Sequence, residues 1–272
     1  MNAQFCIWSK YYRDGSAEDA ILEFEKDGVA YIELAHEHGS ELLERGDDHV
    51  ATGRAFADFL KAHGVSALQG HLRFPAPIAS DPTLIPYLVR QIELYAAIGI
   101  RRAVLHTESK AEMGMDGEEW LARNVEALRT LLSCIEHVDI TICLENMRSY
   151  NESVELLLEI IDRVGSPKLG ICLDTGHLNN THANTHREFI LKAGKYLKAL
   201  HIADNEGERD QHMMPFGRGN VDFEEVVAAL REIDYEGMFN YEIPGESGCP
   251  DPIRHAKVQF LRAGYDYLMQ KN

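Results

Sequence analysis

Short apolar runs recur along the chain, and each is separated from the next by a stretch with helical spacing. The runs fall at Phe5–Trp8, Val29–Leu34, Val65–Leu72, Ala103–Thr107, Ile140–Glu145, Leu169–Asp174, Leu197–Ile202 and Met238–Ile243. Most are continuously apolar rather than alternating, as expected of strands covered on both faces in a parallel sheet. Between them, Ala17–Lys26 opens after Ser16, a residue type that caps helix N-termini, and Arg54–His63 stops at Gly64. Pro82–Ile98 starts at an Asp81-Pro82 pair and ends at Gly99. Glu118–Ile135, Ser153–Val164, Phe189–Lys195, Phe223–Ile233 behind Asp222, and Pro252–Met269 complete the helical set. Eight strand–helix units in 272 residues predict a closed (β/α)8 barrel of the α/β class, a single domain over residues 1–272. A doubly wound open sheet is the alternative; no GxGxxG turn follows the first strand, so nothing argues for dinucleotide binding.

In a parallel barrel the C-terminal strand ends share one face, and that is where active sites are built. Four strands end in metal-ligating residue types: TICLENM at Glu145, GICLDTGH at Asp174, ALHIADN at His201 and FNYEIPGE at Glu242. Three carboxylates and one imidazole converging on one face predict a divalent-metal site and hence an enzyme. More histidines reach the same rim. His71 lies in LQGHL and His106 in VLHTES, His177 follows Asp174 by three residues, and Asp210 and His212 form a DxH pair after the seventh strand. These five are candidate further metal or substrate contacts.

Composition narrows the partners. Hydrophobic content of 45% and charged content of 26% fit a soluble globular protein, and no apolar run approaches a membrane span. The start, MNAQFCIWSK, lacks a signal-peptide pattern, which predicts a cytoplasmic protein without membrane association. A net charge of −17 argues against nucleic acid as a partner. The five cysteines show no CxxC spacing, and Cys6, Cys143 and Cys172 sit within strand runs as small hydrophobes.

On CLEN, DTGH, LHIADN followed by DQH and GRGN, and the late YEIPGE, the whole chain resembles the xylose isomerase-like TIM barrel superfamily of sugar isomerases, epimerases and apurinic-site endonucleases. In its epimerase branch the resemblance implies one divalent metal, Mn, Mg, Co or Zn, on Glu145, Asp174, His201 and Glu242, with His177 beside the substrate. In its endonuclease branch it implies a cluster of two or three Zn ions that adds His71, His106, His177, Asp210 and His212. The acidic balance and the loops SKYYRDGSAED and AHEHGSELLERGDD, without the DNA-binding basic and aromatic elements, favour the sugar branch.

The chemistry expected is isomerisation or epimerisation of a carbohydrate or sugar phosphate. A metal-stabilised enediolate would form as a proton leaves. The resemblance implies that Glu145 and Glu242 flank the sugar and share the acid/base work, here assigned with Glu242 as first base and Glu145 as its partner. Alternatives are an inosose- or dehydroshikimate-type dehydratase on the same site, a multi-zinc phosphodiesterase, and a non-catalytic carbohydrate-binding barrel. Trp8 and Phe74 are candidate surfaces for a sugar's apolar face, against plain core packing. Asn146 is a candidate support for Glu145 or substrate contact, against a capping role, and Asp204-Asn205 a candidate support for His201. Arg218 in PFGRGN is a candidate anion contact, against a simple tight turn, with Arg209 a second. Lys10, Arg148 and Glu246 fall near the rim without an assigned role. A homo-oligomer, paired through outer helices, is left open.

Overall fold

The computed structural model describes residues 1–12, 15–147, 153–245 and 248–271. Arg148 and Glu246 therefore lie outside the described residues. Eight strands alternate with helices: β1 (Gln4–Trp8), β2 (Tyr31–Leu34), β3 (Ser66–His71), β4 (Arg102–Leu105), β5 (Thr141–Glu145), β6 (Leu169–Asp174), β7 (Leu197–His201) and β8 (Met238–Tyr241). All paired neighbours are parallel, in the order β7-β6-β5-β4-β3-β2-β1-β8. The ends of this sheet meet where Ile202 N–H donates to Asn240 O at 2.7 Å and Ile202 bridges Tyr241 in parallel. The result is a (β/α)8 barrel.

Local chemistry explains the helices that the spacing predicts. Ser16 accepts from Asp19 N–H while the Asp19 side chain accepts from Ser16 N–H, a capping box that starts Ala17–Lys26. Asp222 accepts from Glu225 N–H to start Phe223–Glu232. Gly99, at φ 110, ends Ile85–Ile98 in the left-handed conformation that glycine adopts without steric cost. Three helices run where none was expected: His36–Glu44 occupies the stretch read as an acidic loop, the short Lys110–Met113 follows β4, and Thr175–Thr181 follows β6 directly. A further difference is the helix expected at Arg54–His63, which begins earlier, at His49, capped by Asp48.

Side chains alternate across a strand, so the residue two places before a ligand shares its face. Cys143, Cys172 and Ala199 precede Glu145, Asp174 and His201 in this way, and with Val104 they form a separate buried cluster. The thiols of Cys6, Cys143 and Cys172 are free and buried, and burial pushes each of them up. They fill the barrel beneath the C-terminal strand ends and are unsuited to thiolate chemistry.

Candidate metal centre and its cavity

Adjacent strands β5 and β6 set the first two carboxylates. Asn146, just past β5, accepts from Asp174 N–H through Oδ1 at 2.7 Å and donates through Nδ2 to Asp174 O at 3.1 Å. Asp174 in turn caps the helix Thr175–Thr181, its Oδ1 accepting from His177 N–H at 2.6 Å. That leaves Asp174 Oδ2 buried with no hydrogen-bond partner among the described residues. His201 ends β7 in register with Asp174. Its Nδ1 stands 3.1 Å from Glu242 Oε2 and 3.3 Å from Glu145 Oε2. Glu145, Asp174, His201 and Glu242 each present a ligand atom, and all four atoms lie within 4.8 Å of one another.

Two further groups flank this quartet. His71, His106 and Glu145 form one, and Asp174, His177 and His212 the other, by the same distance limit of 4.8 Å. His106 Nε2 is 2.8 Å from Glu145 Oε2 and 3.2 Å from His71 Nε2. His177 Nδ1 is 3.1 Å from Glu145 Oε1, and its Nε2 is 3.3 Å from Asp210. His212 Nε2 lies 3.2 Å from the other Asp210 oxygen. Contacts thus link all nine residues singled out at the strand ends, with Glu145 shared by the quartet and the first flank, Asp174 by the quartet and the second, and Asp210 joined through His177 and His212.

The electrostatics follow from burial and these contacts. Burial opposes ionisation of Glu145, but His201 and His106 outweigh it and hold the carboxyl well below its usual range. At Glu242 burial is likewise outweighed, chiefly by His201, and the carboxyl sits at about 2. Asp174 is pushed up to about 6, mainly by burial. His212 rises to about 10 despite burial, through Asp210 and Glu242. Burial lowers His106.

This donor set fits a divalent cation: three carboxylates and an imidazole turned inward, with a buried Asp174 oxygen that no donor among the described residues satisfies. Without a cation the clustered carboxylates must be neutralised by protonated imidazoles, the state that the raised His201 and His177 reflect.

Above the ligands lies a cavity of about 240 Å3. Trp8 and Phe74 line it, and Phe74 packs edge-on against His106 with ring centroids 4.6 Å apart. The sequence reading missed His36, Glu37 and Met147 in this wall. His36 and Glu37 open the helix hidden in the acidic stretch, and its Gly39 lets Tyr95 close in: a Cβ there would lie 2.1 Å from the Tyr95 hydroxyl. That hydroxyl donates to His71 O at 2.6 Å and so fixes the end of β3.

Asp204 and Asn205 make hydrogen bonds to the loop after β7 and to Gly176. Asp204 Oδ1 accepts from Asn205 and Val221 N–H at 2.9 and 3.1 Å, and Asn205 Nδ2 donates to Gly176 O at 2.7 Å, so both organise the loop after β7. The partner of His201 Nε2 is instead Glu33 on β2, at 3.0 Å. Arg218 is solvent-exposed and paired with Glu206 at 2.7 Å. It lines a neighbouring cavity of about 420 Å3 that shares His212 with the first. Arg209 is exposed.

A (β/α)8 barrel whose strand ends gather carboxylates and imidazoles is the class that fold and site define. Within it, residues 23–264 match the family described as xylose isomerase-like TIM barrel, and the chain belongs to that family. L-ribulose 3-epimerase of Methylomonas sp. is 28% identical over 251 residues, 87% of this chain and 81% of that protein. A probable endonuclease 4 of Staphylococcus carnosus is 26% identical over 248 residues, covering 83% and 79%. An uncharacterised protein of Methanocaldococcus jannaschii, 36% identical over 131 residues, is matched over 46% of this chain and only 44% of its own length. The D-psicose 3-epimerase of Clostridium cellulolyticum, solved with D-tagatose, superposes with a TM-score of 0.82 at 17% identity, over 98% of this chain and all of that one. Among the described residues, no helix is long and apolar enough to cross a membrane.

Proposed function

We propose that the chain is a divalent-metal-dependent sugar or sugar-phosphate isomerase or epimerase. The observation that carries this is the Glu145–Asp174–His201–Glu242 quartet, closed to within 4.8 Å beneath a small cavity. The similarity to L-ribulose 3-epimerase over most of both chains supports it. A bound ion, Mn, Mg, Co or Zn, would supply a Lewis acid that draws charge from a substrate carbonyl.

The protein's own groups would move the proton. Glu242 is the more accessible of the two candidate bases, with a side chain 14% exposed against 1% for Glu145. It takes the proton from the carbon beside the carbonyl, and Glu145 is its partner. The cavity walls Trp8 and Phe74 offer apolar faces to a sugar ring, and His177 stands where a hydroxyl would be met. The test is to incubate metal-loaded protein with ketoses and their phosphates in heavy water. Deuterium appearing at the carbon beside the carbonyl supports the reading, and no incorporation across the panel refutes it. Loss of a hydroxyl from the product would point instead to a dehydratase.

One observation favours a second reading. The flanking groups, His71–His106–Glu145 and Asp174–His177–His212, are each shaped to hold an ion of their own. Such a cluster suits phosphodiester cleavage, clamping the attacking and leaving oxygens. Nicking of an abasic oligonucleotide by zinc-loaded protein would establish it.

A further inference from the structure

Glu33 is an anomaly for a barrel strand: a carboxylate with no solvent exposure, set in the apolar run Tyr31–Leu34. A buried carboxylate is costly unless its oxygens are satisfied. Both oxygens of Glu33 are committed. Oε2 accepts from Gln69 Nε2 at 2.9 Å and from Asn240 Nδ2. Oε1 faces His201 Nε2 at 3.0 Å. Gln69 and Asn240 lie two residues before His71 and Glu242, so this network occupies the interior layer directly beneath the ligands.

The chemistry of that contact selects one form of the imidazole. A carboxylate oxygen accepts, so His201 Nε2 carries a hydrogen and donates it. In the neutral ring Nδ1 then holds the lone pair, and it is Nδ1 that faces Glu242 and Glu145. Nδ1 makes no hydrogen bond with either, although both carboxylates are near. An imidazole lone pair aimed among carboxylate oxygens is repulsive unless a proton or a metal ion occupies the space between them, and a bound metal takes the place of that proton.

We propose that Glu33 is the positioning residue of the metal centre, fixing the tautomer and ring orientation of His201 and adding a fourth buried negative charge behind the three ligand carboxylates. The inference rests on the metal-dependent reading above and assigns to it a residue outside the ligand shell. Gln69 and Asn240 hold Glu33 by donating to its other oxygen, which keeps Oε1 directed at His201. A glutamine at position 33 carries no charge and disturbs this network. With its oxygen toward His201, its amide N–H groups meet the donors of Gln69 and Asn240, so both amides must turn over, and Gln69 then loses its bond to Leu200 O. With its amide toward His201, it requires the lone pair on Nε2 and leaves Nδ1 protonated, unable to ligate.

The test is Co2+ binding to wild type and Glu33→Gln, followed by visible absorbance in competition with a chelator. It is paired with the proton spectrum of the Co2+ form, in which the N–H of a ligating imidazole is displaced by the paramagnetic ion. The wild type should show a displaced imidazole N–H that exchanges slowly in heavy water, because Glu33 shields it. Glu33→Gln should bind Co2+ about 10- to 100-fold more weakly and lose that signal. Unchanged affinity with the signal intact in a folded Glu33→Gln variant overturns the proposal while leaving the metal-dependent reading standing. Should the variant not fold, the wild-type spectrum decides alone: absence of a slowly exchanging imidazole N–H overturns the proposal and its presence supports it. A wild type that takes up no Co2+ sinks the metal-dependent reading and the role of Glu33 with it.

Discussion

Asn146 grips the backbone of Asp174 from both sides, accepting from its N–H at 2.7 Å and donating to its carbonyl at 3.1 Å. The pair locks the ends of β5 and β6 together, so that Glu145 and Asp174 are presented side by side. The sequence left Asn146 as a support of Glu145, a substrate contact or a cap; the structure adds a backbone clamp on the neighbouring Asp174. Asn146→Leu removes both bonds and leaves a buried N–H and C=O without partners. It should lower stability by about 2 kcal/mol in urea denaturation of the metal-free protein. A midpoint equal to wild type would show that the clamp is dispensable.

Gly219 sits where the loop after β7 closes on Asp204. A Cβ at this position would lie 2.0 Å from the Asp204 carboxylate that holds the N–H groups of Asn205 and Val221. Gly219→Ala should therefore displace the loop that carries Asp210 and His212, at about 1–3 kcal/mol in stability. Thermal unfolding measures the cost, and a wild-type melting curve would contradict the tight closure.

Acid should destabilise the protein through a residue away from the ligands. Ser9 Oγ accepts from Ala35 N–H, so its own hydrogen goes to His38 Nδ1 at 2.8 Å and holds that imidazole neutral. Burial takes His38 down to about 4. The unfolded chain binds a proton below about 6.5, and the folded chain binds one only near the lower value. Stability is thus intact above the upper value and falls as pH drops through the window, by at most about 3 kcal/mol. His38→Asn should flatten the stability profile between these limits. A slope identical to wild type would assign the acid sensitivity to other groups.

The flanking histidines separate the two functional readings. If one ion sits in the quartet and His71 and His177 meet the substrate, His71→Asn and His177→Asn should raise KM or lower kcat and leave metal content unchanged. Loss of a metal equivalent from either variant would make these residues ligands.

The barrel was legible because its strands are buried on both faces and read as uninterrupted apolar runs. The convergence of the quartet was legible because each member directly follows such a run, where topology alone brings residues as distant as Glu145 and Glu242 together. What was hidden has physical reasons. The helix His36–Glu44 is broken in pattern by Gly39, required by the close approach of Tyr95 rather than by a turn. Thr175–Thr181 is started by Asp174 itself, so its cap reads as a ligand only. Glu33 lies inside a strand, and its partner His201 is 168 residues further on. Sequence proximity pointed to Asp204 and Asn205 instead, whose carboxylate and amide serve the loop.

A cation in the quartet is the central requirement of the proposed chemistry, so metal content of protein never exposed to chelator or nickel resin tests it most directly. One divalent ion per chain is expected, retained through gel filtration and lost from a folded Asp174→Asn variant. A chain that stays metal-free after titration with Mn2+, Co2+, Mg2+ and Zn2+ would contradict it.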